Sequence, residues 1–344
     1  MHTNGHANGN RRRNGKRLTC VFRHKRRTSP GRVRSRRDGG NGRSVQIVFC
    51  GTGWFPIVDA IRARLPSGVV IRSWDGQLPL ATQIEDADVL LPSNARFDAA
   101  VIAAPRNLRL IQQPAVGTEG IDLSAARARG VPVCNAPGTN GQAVAEAALF
   151  LILALARRLP RATRAFAERS IGAPLGVELA GRTLGILGLG RSGMALARFA
   201  EAVGMRVLAA RSTTSREDVL DLAARSDVIS VHCPLTPATR GLVGEAFLSR
   251  VKPGALLVNV ARGPIVEREA LVHALESGRL GGAGLDVFWE EPWDPADPLY
   301  RREDVVVLPH VAGSTEEAFA RIADIVAGNV FRLVRGEPLL HRIA

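Results

Sequence analysis

The segment RTLGILGLGRSG, Arg182 to Gly193, decides how the rest of the chain is read. Its first half is an apolar run of strand length. Its second half sets Gly188, Gly190 and Gly193 in a G-x-G-x-x-G turn at the start of a helical stretch. The first glycine suits a tight turn, the second a close approach of backbone to pyrophosphate, and the third close packing of helix on strand. The helix N-terminus, with Arg191 and Ser192 in its first turn, would then face the phosphates of a dinucleotide.

The next strand lies in MRVLAARSTT, Met205 to Thr214, and ends at Ala210. Position 211 falls 23 residues after Gly188. An acid there would bind both ribose hydroxyls of NAD and repel a 2′-phosphate. The chain has Arg211 and Ser212 instead. A guanidinium can pair with that phosphate and a hydroxyl can donate to it, so the sequence predicts NADP in preference to NAD.

Outward from this turn, continuous apolar runs alternate with helical stretches. RTLGILG, MRVLAAR, DVISVHC, GALLVNV, GAGLDVF and DVVVLPH read as six strands of one sheet. Before them, VQIVFCG, GVVIRSW, ADVLLPS, LRLIQQP and VPVCNAP read as five strands of another. Such runs predict parallel sheets covered on both faces. The fold class is α/β, with two Rossmann-like doubly wound domains. A dinucleotide-binding domain, 142–312, is expected to be inserted in a discontinuous substrate domain, 45–141 and 313–344. The hinge falls near Asn140–Gln142 and the return near Gly313. The final helix is expected to pack on the first unit, a step that periodicity alone does not supply.

The net charge of +14 would suggest a nucleic-acid partner, but its distribution argues otherwise. Residues 1–44 hold twelve Arg, two Lys and one acid, whereas the other 300 residues carry 32 bases against 31 acids. The tail is rich in Gly, Asn and Arg and reads as disordered. Three readings of it stay open: a start assigned too far upstream, a basic segment for nucleic acid or acidic membranes, or an organellar transit peptide lacking an amphipathic period. Cys20, Cys50, Cys134 and Cys233 are far apart and form no metal-ligand spacing, so no metal is expected. That usage fits a reducing cytoplasm. The run from Ala143 to Leu159 is the most apolar, but Glu146 and Arg157 interrupt it before it could span a bilayer. It predicts a buried helix, in the core or at a subunit interface.

Three segments late in the second series each follow a strand: Arg262 in NVARGP, Asp286, Glu290 and Glu291 in LDVFWEEP, and His310 in VVVLPHVAGST. The C-terminal strand ends of a parallel sheet share one rim, so these side chains are offered to the edge that holds the cofactor. Asp286 could equally cap a turn, Arg262 could bind cofactor phosphate, and His232 reads as structural or as a neighbour of the adenine end. Trp54 could line the pocket or belong to the core.

The runs GLGRSG, HCPLTPATRGLV, NVARG, GLDVFWEEP and PHVAGST, in this order, resemble the D-2-hydroxyacid dehydrogenases over Val45 to Gly336. The resemblance implies a hydride transfer between NAD(P)H and a small 2-keto or 2-hydroxy acid. His310 would be the proton donor. Glu291, directly before the proline as in the family, would fix its tautomer and keep the imidazolium available. Arg262 would bind the substrate carboxylate and polarise the carbonyl. Cys233, Pro234 and Asp286 would border the cofactor, and the backbone at Val116 and Gly117 would bind the carboxylate. Glu119 and Gly120 stand where the family often has Asp-Asn. Asn94 and Arg96, in a second substrate-facing loop, could select the substrate or face water. A homodimer is implied, and a glyoxylate or hydroxypyruvate reductase is the favoured activity. Phosphoglycerate dehydrogenase is the alternative; it calls for an acid at 211 and, in many members, a C-terminal regulatory domain beyond where this sequence stops. A dinucleotide-sensing corepressor of the same fold is the rival from another class.

Overall fold

The structure, a computed structural model, describes residues 44–344. The basic tail expected over 1–44 therefore lies, apart from Ser44, outside the described residues.

The first sheet contains β1 (Val45–Phe49), β2 (Val69–Ser73), β3 (Val89–Leu91), β4 (Leu110–Gln112) and β5 (Val133–Cys134), in the order β2-β1-β3-β4-β5. The second contains β6 (Thr183–Leu187), β7 (Arg206–Ala210), β8 (Val228–Val231), β9 (Ala255–Asn259), β10 (Leu280–Leu285) and β11 (Val305–Val307), in the order β11-β10-β9-β8-β6-β7. All pairings are parallel. Every residue of β6, β8 and β9 is buried, which is why these strands are continuous apolar runs rather than alternating ones.

Each sheet reverses its winding once, between β1 and β3 in the first and between β6 and β8 in the second. At such a switch point the loops leaving neighbouring strands diverge and leave a crevice at the carboxyl ends. The glycine turn leaves β6, and His232 and Cys233 leave β8. In the first sheet, Gly51 to Trp54 leave β1 and Pro92 to Asn94 leave β3.

The long apolar helix runs Gly141–Ala156 and buries Ala148, Leu151, Ile152 and Leu155 against Leu184, Ile186 and Val258 of the second sheet. It ends three residues before the expected Leu159. Arg158 adopts a left-handed conformation (φ 52°), and a second helix, Leu159–Ala167, begins with Pro160 in its first turn. In a continued helix the Pro160 ring would clash with the carbonyl four residues earlier.

The last helix, Glu316–Arg335, starts with Thr315 Oγ1 accepting from Ala318 N at 3.1 Å and ends at Gly336, left-handed at φ 69°. Its Ile322, Ala323, Val326 and Val330 share a core with Ile47 and Phe49 of β1 and with Ile57 and Ile61 of the helix Pro56–Arg62. Burying each large aliphatic side chain contributes roughly 1.5–3 kcal/mol, enough to hold the returning chain on the first sheet. Among the described residues no helix is long and apolar enough to cross a membrane.

Candidate active site

A cavity of about 420 Å³ opens between the strand ends of the two sheets. One wall comes from loops after β1, β3 and β4, the other from loops after β9, β10 and β11.

Arg262 enters this cavity on a turn built by Asn259, the last residue of β9. The buried Asn259 side chain accepts from Ala261 N at 3.1 Å and donates to Arg262 O at 2.9 Å, so one amide closes the turn at both ends. The sequence analysis did not single out Asn259. Its signal was a polar side chain at the end of an apolar strand.

Glu291 and His310, from the loops after β10 and β11, meet on the same wall. His310 Nδ1 lies 2.6 Å from Glu291 Oε2, while Phe288 N donates to Glu291 Oε1 at 3.0 Å. Burial pushes the Glu291 carboxyl up, but the hydrogen bond and charge of His310, the Phe288 N–H and Arg262 outweigh it. The carboxyl is held below its usual range. Glu290 is exposed and takes no part in this contact.

The loop carrying His310 is fixed from below and from across the cleft. Asp286, 1% exposed, accepts from Val311 N at 2.8 Å and from Ala312 N at 3.0 Å, so it anchors the turn that follows the histidine. Its burial pushes its carboxyl up to about 6 against those N–H groups. From the first sheet, Trp54 Nε1 donates to His310 O at 3.2 Å, and its ring stands edge-on to the imidazole at 5.1 Å between centroids. Trp54, Ser93 and His310 all have left-handed backbones, with φ of 58°, 55° and 54°. Each such residue costs of order 1–3 kcal/mol and persists only where its surroundings over-determine it.

Gly117 lines the cavity against the Arg262 guanidinium, and Val116 precedes it in the same loop. Asn135 Nδ2 donates to Val116 O at 2.9 Å and Gln113 Nε2 to Gly117 O at 2.8 Å. The N–H groups of both residues donate to nothing among the described residues. A Cβ at Gly117 would collide with the Arg262 guanidinium and the Glu119 carboxylate, so glycine is what lets these two groups reach the loop. Glu119 sits 3.5 Å from Arg262 at both Nε and Nη2, an approach the sequence analysis did not foresee.

The crevice after β6 fits a dinucleotide. Gly188 is left-handed (φ 103°), and a Cβ there would collide with the Cys233 backbone; one at Gly193 would collide with the Gly188 carbonyl. Gly190, which starts the helix Arg191–Ala202, faces open space and carries no side-chain cap, leaving the helix N–H groups available to phosphate. Ser192 is partly engaged: its Oγ lies 3.0 Å from His232 Nδ1, whose Nε2 lies 2.9 Å from Ser230 Oγ. Burial lowers His232 to about 4, so this bridge is a neutral, structural one. Burial raises the neighbouring Cys233 thiol to about 11; Pro234 beside it is exposed. Arg211 and Ser212 are exposed at the end of β7.

The profile of the D-isomer specific 2-hydroxyacid dehydrogenase NAD binding domain matches residues 149–312. A glyoxylate reductase of Korarchaeum cryptofilum is 39% identical over 287 residues, covering 77% of this chain and 86% of that protein. The chain belongs to the D-isomer specific 2-hydroxyacid dehydrogenase family. It is an oxidoreductase with a nicotinamide dinucleotide cofactor. A D-3-phosphoglycerate dehydrogenase of Archaeoglobus fulgidus is also 39% identical, over 267 residues, but the chain spans only 51% of its length. Among solved structures, a protein of Thermus thermophilus superposes with a TM-score of 0.78 at 34% identity, over 87% of this chain and all of that one. Both glyoxylate reductase and phosphoglycerate dehydrogenase thus appear among the relatives of this dehydrogenase.

Proposed function

We propose that this dehydrogenase works as a glyoxylate or hydroxypyruvate reductase-like enzyme, converting small 2-keto acids to D-2-hydroxy acids with NADPH preferred over NADH. The observation that carries this reading is the 2.6 Å contact of His310 with Glu291 in one cleft with Arg262. A bound nicotinamide supplies the hydride. Val116 N, Gly117 N and the Arg262 guanidinium hold the substrate carboxylate, and Arg262 also polarises the adjacent carbonyl. Glu291 accepts from His310 Nδ1 and so leaves Nε2 to face the carbonyl oxygen. His310 gives its proton to that oxygen as the alkoxide forms, and takes it back in the reverse direction. Gly188, Gly190, Arg191, Ser192 and Gly193 hold the pyrophosphate, and Arg211 with Ser212 holds the 2′-phosphate. Cys233, Pro234 and Asp286 border the rest of the cofactor.

In this reading 45–141 with 313–344 form the substrate domain and 142–312 the dinucleotide domain. The enzyme works as a homodimer. Phe166, Ile171 and Leu175 are 87%, 100% and 81% exposed and Phe150 of the long helix is half-exposed, apolar side chains that a second copy would cover. Sedimentation equilibrium should give twice the chain mass, and Phe166→Glu should reduce it to one; a monomeric parent would remove the dimer.

The reaction is tested by initial rates on glyoxylate, hydroxypyruvate, pyruvate and phenylpyruvate with each cofactor. Turnover favouring NADPH is expected. Tight dinucleotide binding with no turnover on any of the four would overturn the reading.

A further inference from the structure

We infer that Glu119 is a charge filter for the substrate, restricting the enzyme to 2-keto acids that carry a single negative charge. The inference rests on the keto-acid reading above and narrows it, for the relatives include enzymes named for a phosphorylated substrate and enzymes named for glyoxylate.

Two observations carry it. First, the cleft is acidic. Among the described residues that line it, the ionisable side chains are Arg262 and His310 on one side of the balance and Glu119, Asp286 and Glu291 on the other. Glu291 is taken by His310, and Asp286 is buried under the Val311 and Ala312 N–H groups. That leaves one guanidinium and one carboxylate free to act on a ligand. A substrate carboxylate uses the guanidinium. A second anionic group would meet no further cation in the lining, only Glu119.

Second, Glu119 stands at the carboxylate position itself. Its two oxygens lie 3.5 Å from Arg262 Nε and Nη2, close to the loop of Val116 and Gly117, whose N–H groups donate to nothing among the described residues. Glu119 is therefore the counter-ion of Arg262. A keto acid entering with one charge competes with Glu119 for Arg262 and leaves the site with one uncompensated negative charge. A dianion brings a further charge into a half-buried space, where like charges a few ångströms apart are not screened as they are in bulk water. The Glu119 side chain is 40% exposed, so the effect is a preference and not an absolute block.

The same charge acts twice as strongly on a dianion as on a monoanion, so selectivity is read as a ratio. Oxamate and oxalate are nearly isosteric, with one and two negative charges at neutral pH. Their dissociation constants are measured on the cofactor-loaded enzyme, beside kcat/KM for pyruvate and for oxaloacetate, which carry one and two negative charges. The parent should favour the singly charged member of each pair. Glu119→Gln should move both ratios toward the dianion by about tenfold, and should lower KM for the monoanion because Arg262 loses its internal competitor. Glu119→Asp keeps the charge and should keep the selectivity, which separates charge from shape. Ratios unchanged in Glu119→Gln, or a parent that favours the dianions, would overturn the filter. A shifted oxamate-to-oxalate ratio without turnover of any keto acid would uphold the filter and overturn the reaction. If neither anion binds, both fail.

Discussion

Replacing Arg211 by aspartate should convert the dinucleotide preference from NADPH toward NADH. Ala210, the last residue of β7, pairs in register with Leu187 of β6, and its carbonyl accepts from Gly188 N at 2.9 Å. Arg211 is therefore the next residue beyond the point where the strand touches the glycine turn. Its backbone is held by a closed turn, with Arg211 N donating to Thr214 Oγ1 at 2.9 Å and Thr214 N to Arg211 O at 3.0 Å. The guanidinium is exposed and makes no ion pair among the described residues, so no internal partner competes for it. A charge-assisted hydrogen bond to the 2′-phosphate is worth roughly 1.5–3 kcal/mol. A carboxylate in its place adds a repulsion of about 1 kcal/mol at an exposed site. Together these amount to about 2.5–4 kcal/mol, a change of roughly 70- to 900-fold in the ratio of kcat/KM for NADPH to that for NADH. The assay is initial-rate kinetics with each cofactor on one saturating keto acid. Most of the change should appear in KM for NADPH, since the 2′-phosphate is remote from the reacting carbon. A ratio that stays within twofold of the parent value would refute the assignment and make Arg211 a solvated surface residue.

Three further outcomes follow from the same geometry. His310→Gln should lose about 10²–10⁴ in kcat while dinucleotide affinity, read by fluorescence titration, is retained; unchanged turnover would remove His310 from the chemistry. Trp54→Phe keeps an aromatic edge beside the imidazole but loses the bond to His310 O, and should lower kcat several-fold with little change in KM for the cofactor. Equal parent and variant kcat would show that the bond does not position the histidine. His232 is lowered by burial to about 4, so its contribution to stability is complete above about pH 6.5 and is lost as pH falls toward 4. Urea unfolding at fixed protein concentration should show His232→Asn closing its stability gap to the parent across that window; a gap independent of pH would contradict the assignment.

The sheets were legible because their central strands are buried on both faces, and such strands appear as uninterrupted apolar runs. The glycine turn was legible for a related reason: Gly188 and Gly193 have no room for a Cβ, so the spacing is forced by backbone contacts. What lay beyond the sequence is of another kind. The break after Ala156 depends on Pro160, which an apolar run obscures. The Trp54 bond to His310 joins residues 256 apart, and the Glu119 approach to Arg262 joins residues 143 apart. Neither leaves a periodic trace, because the two partners are brought together only when the two sheets share a cleft.

That difference bears on how the enzyme is built. Arg262, Glu291 and His310 all come from loops of the second sheet, and a lone second sheet would present the same three residue types. Their usable arrangement depends on the first sheet as well. Trp54 bonds the backbone of His310, and Glu119 balances Arg262 until a carboxylate replaces it. In the proposed function the N–H groups of Val116 and Gly117, which donate to nothing among the described residues, complete the carboxylate site. The returning helix Glu316–Arg335 begins only a few residues after His310 and is rooted in the first core through Ile322, Ala323, Val326 and Val330. The histidine loop is thus tied to both sheets, by Asp286 beneath it and by the helix beyond it. A substitution that loosens the returning helix should therefore disturb the proton-donor loop before it disturbs the dinucleotide crevice, whose glycine turn leaves β6 of the second sheet. Val326→Ala, which removes a fully buried side chain from that core, should accordingly lower kcat more than it raises KM for the cofactor.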